Sequence, residues 1–481
     1  MRKRFEQQLS IGVIPIHKVK ISLKSRDCAT DLLAALQSLF IDAECNEKIF
    51  NILEDKITKG KKRTGRPGMD LWQIFVLAQF RLCLNISYDR LHYMANNDML
   101  LRKIMGIEKG FGYEPLELEY QNIKDNVALL DEETIKKIND VIVEFGHEVY
   151  KKKETAALHL KTDCFAVESN VHFPTDYNLL WDCSRKCLDT VSLFLKKYPK
   201  IKGWRKIKDW YRECKGLMRD FGKASGGGGK NKEKRAKELA RIYLKKVSVL
   251  SDKIKTTRDE LPVNDHSDVI LLISLERFMA LLDKHIDLLE RRVLKGEVIP
   301  HKEKLFSIFE EYTEWLTKGK LRPNVELGKK VMITTDQYGL ITDYEVVDNT
   351  ADSDLVQPLS ERILEKFLVD SWSFDKGFWN KVNKELLRQN VANVIMPKKG
   401  KTNQEEKEEE SSRSFVRLRN RHSAVESNIN ELEHRGLDRC PDRGYKNFRK
   451  YVGIAVGAYN LRRIGRKLRE EAKTALLRAA A

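Results

Sequence analysis

The residue pattern changes its period twice, and this limits the chain to few architectures. From Leu158 to Val167, and again at Val171–Phe173, the sequence alternates like extended chain and then stops at Pro174. The texture resumes only at Val331–Asp336, followed by Leu340–Val347, Asp370–Asp375 and Val391–Met396, with helical stretches near 354–368 and 378–388. In the gap, apolar residues step by three and four: Leu239, Tyr243, Val247, Leu250, Ile254, then Leu271, Leu275, Phe278, Leu282, Ile286, Leu289 and Val293. Such seams bury one face of a long helix. The spacing predicts a strand-containing domain, 151–177 with 326–440, split by an all-helical insertion over 178–325. Within that insertion Ser225–Gly229 is expected to be a flexible break between helices.

Upstream, 1–150 reads as a helical domain. After the turn-rich Thr64-Gly65-Arg66-Pro67-Gly68, apolar residues from Leu71 to Leu84 and on to Tyr88, Leu91 and Met94 keep a helical spacing. Downstream, 441–481 forms a basic helical tail.

Charge narrows the partner. The chain has 89 Lys plus Arg against 71 Asp plus Glu, a net charge of +18. Lys56, Lys59, Lys61, Lys62, Arg63 and Arg66 crowd together, and nine Lys/Arg without an acid lie between Arg443 and Arg469, interleaved with Tyr445, Phe448, Tyr451 and Tyr459. Cations that neutralise phosphates gain from counterion release, so a nucleic acid is the expected partner, held by the 56–66 cluster and by Arg462, Arg463, Arg466 and Lys467. Eight cysteines form no C-x-x-C pair, which suits free thiols in a reducing compartment. No apolar run reaches the roughly 20 residues that span a bilayer. The basic start runs into Glu6, Gln7 and Gln8 instead of an apolar core, so no signal peptide and no membrane partner are expected.

Three acids occupy unusual places. Asp163 lies inside a strand, where acids are depleted. Asp375 ends a strand ahead of the turn Lys376-Gly377-Phe378, and Glu426 sits beside the apolar stripe Val425, Ile429, Leu432. Brought together, they would supply hard oxygen ligands for Mg²⁺, and two such ions could hold a phosphodiester for in-line attack. Each also has a structural reading, as an edge residue, a helix cap or a solvated side chain. Asp176, Asp336, Asp343, Asp348, Asp352 and Asp354 compete for the same role.

Lys161-Thr162-Asp163, Val167-Glu168-Ser169-Asn170 and Phe173-Pro174-Thr175-Asp176 resemble the opening of the catalytic domain of bacterial insertion-sequence transposases of the DDE type. Ser373–Phe378 is similar to their second segment, and Ser423-Ala424-Val425-Glu426 through Asn430, Leu432 and Arg435-Gly436-Leu437 to their third. Gly65-Arg66-Pro67, Leu71-Trp72 and Leu100-Leu101-Arg102 resemble their N-terminal helical domain, and Ala458–Arg463 their tail. The likeness is greatest to the loosely classified ISNCY group. It implies an α+β, RNase H-like mixed sheet with flanking helices. Asp163 would lie on the central first strand, Asp375 after the fourth and Glu426 on a following helix. These three would be catalytic and would bind two Mg²⁺, with Mn²⁺ able to substitute. The implied activity is DNA cleavage and strand transfer at terminal inverted repeats, by a homodimer on double-stranded DNA in the bacterial cytoplasm, at the nucleoid. Lys376 and Arg421 would neutralise phosphate nearby. His422 and Glu433 stand where some relatives carry Arg and Lys. A domesticated DNA-binding protein and a nuclease that only hydrolyses remain as alternatives.

Overall fold

The computed structural model describes residues 2–5, 13–60, 68–108, 116–317 and 325–480. The cluster residues Lys61, Lys62, Arg63 and Arg66 lie outside the described residues. The chain divides into two compact units, 1–170 with 316–481, and 171–315.

In the first unit, seven helices precede the sheet: α1 (Cys28–Ile41), α2 (Ala43–Ile57), α3 (Leu71–Cys83), α4 (Tyr88–Asn97), α5 (Met99–Ile104), α6 (Tyr120–Val127) and α7 (Glu132–Val149). Their starts are set locally. Asp27, Asp42, Ser87, Asp98 and Asp131 each accept a hydrogen bond from a first-turn amide, satisfying a donor that the helix leaves unpaired. Helix α3 is apolar on nearly all sides and is buried along its whole length.

Strand β1 (Leu158–Ser169) comes next and is the centre of a mixed sheet. From the end of the second unit onward the chain adds β2 (Glu314–Thr317), which straddles the boundary, then β3 (Val325–Thr335), β4 (Ile341–Val347), α12 (Val356–Lys366), β5 (Val369–Phe374), α13 (Lys381–Arg388), β6 (Asn393–Ile395), α14 (Gln404–Ser411), α15 (Arg413–Leu432), β7 (Arg439–Cys440) and α16 (Tyr445–Ala480). The seven strands run β2-β3-β1-β5-β6, with β4 on β3 and β7 on β1. β3 is antiparallel to β1 and to β4, while β5 and β6 run parallel to their neighbours. Alternation assigns the faces. Leu158, Leu160, Met332, Trp372 and Phe374 join a core with α12 and α13, where the Trp372 indole donates to Thr162 Oγ1 at 2.8 Å. Helix α15 crosses β1, β5 and β6 on the other face.

Helix α16 is the spine of this unit, packing on α1, α3, α7 and β4. Asn460, fully buried, accepts from Ile341 N at 2.8 Å and donates to Asn139 Oδ1 at 2.9 Å, tying β4, α7 and α16 together. Before it, Gly436 takes φ +109°, where an added Cβ would lie 2.4 Å from Asn85 Oδ1. Two expectations change here. The helices of 1–150 are not a separate domain: they and the sheet bury α16 between them. The tail is likewise core from 448 to 465, where its aromatic residues Phe448, Tyr451 and Tyr459 are buried, while 472–479 is exposed.

The second unit holds α8 (Asp176–Lys197), α9 (Ile207–Gly226), α10 (Lys232–Asp259) and α11 (His266–Leu289). Their seams meet in one core, with Cys183 and Cys187 buried beside Val191, Tyr243, Val247 and Leu282. None of the eight cysteines is in a disulfide. The unit begins at 171 and ends at 315, earlier at both ends than the expected 178–325. The last part of the expected insertion is strand: β2 lies inside it and β3 starts at its final residue.

Candidate active site

The register of β1 on β5 decides whether the first two acids meet. Lys161 faces Ser373 and Thr162 faces Phe374, so Asp163 and Asp375 are the next residues in that register. Both project toward the face that α15 crosses, and α15 carries Glu426. Ser412 caps α15 by accepting from Phe415 N, and Phe415, Leu418, Val425, Ile429 and Leu432 form its buried stripe. Glu426, next to Val425, stands at the edge of that stripe and is exposed; Asp375 is exposed as well.

Electrostatics link the three. Burial, mainly, pushes the Asp163 carboxyl up to about 7; the neighbouring charges of Asp375, Glu426 and Asp352 push the same way, against a hydrogen bond from Cys164 N at 2.7 Å. A carboxyl raised this far is set first by its burial, and the charges of Asp375, Glu426 and Asp352 add to it. Neither Asp375 nor Glu426 has an ion-pair partner among the described residues. The three acids do not close to within 4.8 Å of one another as a trio; among the described residues only Asp42, Cys45 and Glu148 do.

Asp352 is the acid that sequence reasoning left among its competitors. It begins the 3₁₀ turn Asp352–Leu355, pairs with Lys330 at 2.5 Å and approaches the turn Lys376–Phe378. A Cβ on Gly377 would lie 2.6 Å from Asp352 Oδ2, so a larger residue after Asp375-Lys376 would make the Asp352 carboxylate shift. The other competitors are engaged elsewhere. Asp336 holds His147 at 2.8 Å, Asp343 holds Arg362 at 3.0 Å, Asp348 holds Lys329 at 2.6 Å, and Asp176 pairs with Arg292 in the second unit. Asp354 is exposed and, among the described residues, accepts from Ser353 alone.

Beside the acids stands His422, one turn before Glu426. Its Nδ1 lies 2.9 Å from Ser373 Oγ, and Nε2 is buried without a partner. Burial pulls its pKa down to about 4, with Asp375 opposing, so the ring is neutral near pH 7.

The basic residues expected to hold DNA divide sharply. Lys376 and Arg421 are exposed next to the acids and make no ion pair among the described residues. Arg462 is buried against Glu431, and Arg463 donates to the Tyr338 carbonyl at 2.7 Å. Arg466 and Lys467 form helix-surface pairs with Glu470 at 3.0 Å and Glu471 at 3.2 Å. Of these four, Arg462 and Arg463 are thus engaged inside the protein and Arg466 and Lys467 on its surface. Sequence reading passed over Arg413, Arg417 and Arg419. With Arg421 they make four exposed arginines on α15 without an ion pair among the described residues. Their signal was available, since Arg413, Arg417 and Arg421 recur every four residues along one side of a helix.

No helix of the described residues is long and apolar enough to cross a membrane. Comparison with protein-family models, curated proteins and solved structures finds no match to the chain.

Proposed function

We propose that the chain is a DNA transposase of the DDE type, cutting and joining DNA strands at terminal inverted repeats with Asp163, Asp375 and Glu426. The observation that carries this reading is the meeting of the three acids. Two are neighbours across β1 and β5, the third lies on the helix over them, and the charges of Asp375 and Glu426 both act on Asp163. The finer fold assignment, RNase H-like, is part of the proposal. It is supported by a central first strand flanked by the antiparallel pair β3–β4 on one side and the parallel pair β5–β6 on the other.

The donor set fits Mg²⁺, or Mn²⁺ in its place: hard carboxylate oxygens alone, with a protonated Asp163 where a cation's charge would favour the carboxylate. Asp163, Asp375 and Glu426 would hold two such ions. When bound, the metal supplies electrophilic stabilisation of the oxygens that attack and leave phosphorus. The chain's own residues do the rest. Asp352, fixed by Lys330, packs against the turn that follows Asp375, and Lys376 and Arg421 offer positive charge to flanking phosphates. Neutral His422 braces α15 against β5 through Ser373. A homodimer on DNA, in the bacterial cytoplasm, belongs to the same reading.

The test is incubation with Mg²⁺ and DNA bearing the repeats that flank the gene. Cleaved ends and joined products are expected from the native chain, and neither from Asp163→Asn, Asp375→Asn or Glu426→Gln. Cleavage without joining would mark a hydrolytic nuclease. Wild-type cutting by any of the three variants would remove that acid from the site.

A further inference from the structure

We infer that the cavity between α15 and the sheet, beside the acids, binds a phosphate group carried on a nucleic-acid strand. The cavity encloses about 340 Å³, and its polar lining is His159, Lys161, Gln337, Ser371, Ser373 and Arg421, with Ser423 at its edge. No carboxylate lines it.

Lys161 is the anchor of the argument. Its side chain is 9% exposed, and its ammonium makes a single hydrogen bond among the described residues, to the Asp336 carbonyl oxygen at 3.2 Å. A buried ammonium has three donors to satisfy and a large desolvation cost to offset. The Asp336 carboxylate gives no full remedy, since it is engaged by His147 and by the amides of Tyr338 and Leu340. Arg421 adds a second cation to the lining, also without an ion pair. Gln337 accepts from His159 N at 2.9 Å through Oε1, which leaves its amide donors free for a ligand. Cations and donors facing one space, with no acid among them, suit an anion with several acceptor oxygens. A metal ion would find no oxygen charge there, and an apolar ligand would leave Lys161 uncompensated.

Position identifies the carrier. Lys161 lies two residues before Asp163 on β1, Ser373 two before Asp375, and Arg421 five before Glu426 on α15. Two residues along a strand span about 6.6 Å. One strand of nucleic acid can therefore touch cavity and acids together. This choice of carrier rests on the proposed reading of the acids; the anion site itself rests on Lys161 and Arg421.

The experiment uses the full chain in EDTA, so that cleavage plays no part and its failure would not be mistaken for failure here. One arm measures binding of a short DNA duplex across a salt series; the other measures thermal stabilisation by inorganic phosphate against chloride at equal ionic strength. Arg421→Gln is expected to lower the log–log salt slope by about 0.9, with a several-fold loss of affinity, and Lys161→Met to do the same. Phosphate should raise the unfolding temperature of the native chain and not of either variant. Stabilisation by phosphate with an unchanged DNA slope would overturn the strand as carrier and leave free phosphate. An unchanged slope with no phosphate effect would overturn the site. Should Lys161→Met fail to fold, the exposed Arg421→Gln decides alone.

Discussion

Helices α15 and α16 follow the sheet, both are rich in arginine, and they use that charge in opposite ways. On α15, Arg413, Arg417, Arg419 and Arg421 stand in solvent with no ion pair among the described residues. On α16, Arg462 is buried on Glu431, Arg469 is buried on Asp31 and the carbonyls of Ser22 and Ser25, and Arg449 holds Glu132 at 2.6 Å. Local density of positive charge is thus a poor guide to a nucleic-acid surface. What matters is whether each guanidinium already has its counter-charge. A compensated cation supports the fold, and an uncompensated one is available to phosphate.

The largest effects should come from the compensated side. Arg81 on α3 binds Asp442, just ahead of α16, through two hydrogen bonds of 3.0 and 2.7 Å, with side chains 5% and 17% exposed. Arg81→Met strands a buried carboxylate and should cost about 3–5 kcal/mol in denaturant unfolding. Arg469→Met should fall at the lower end of that range. A loss below about 1 kcal/mol for both would mean that α16's charges are not structural. On α15, changing Arg413, Arg417, Arg419 and Arg421 together to Gln should reduce the salt slope of DNA binding by up to about 3.6, since each phosphate contact contributes about 0.9. An undiminished slope would end the distinction between the helices. The smallest effect is the stability of that quadruple variant, expected within about 0.5 kcal/mol of the native chain for each exposed position.

The comparison also shows where sequence reasoning stopped. β1, β3, β4 and β5 were legible because one face of each must be buried, which writes alternation into the residues. Asp163 and Asp375 drew attention for a related reason, one interrupting a strand and the other preceding a turn, but their choice over the other acids rested on the family resemblance. Four-residue β2 and two-residue β7 carry too few residues for a pattern and exist through their partners. The role of α16 was hidden because its counter-charges are remote, Asp31 lying 438 positions from Arg469. Asp352 was hidden among neighbours of the same type, and only the fold brings it against Gly377.

The central claim is that Asp163, Asp375 and Glu426 form one cation site, and thermal unfolding tests it without DNA. Asp163 holds its proton up to about pH 7 in the fold and loses it near 4 when unfolded. Its contribution is therefore full below about pH 4 and is lost as pH rises through 7. At pH 8 without divalent metal, Asp163→Asn should be more stable than the native chain by on the order of 2–3 kcal/mol, a difference that vanishes near pH 4. Mg²⁺ should raise the unfolding temperature of the native chain at pH 8 and leave that of Asp163→Asn unchanged. A native chain indifferent to Mg²⁺, with Asp163→Asn no more stable at pH 8, would contradict the account.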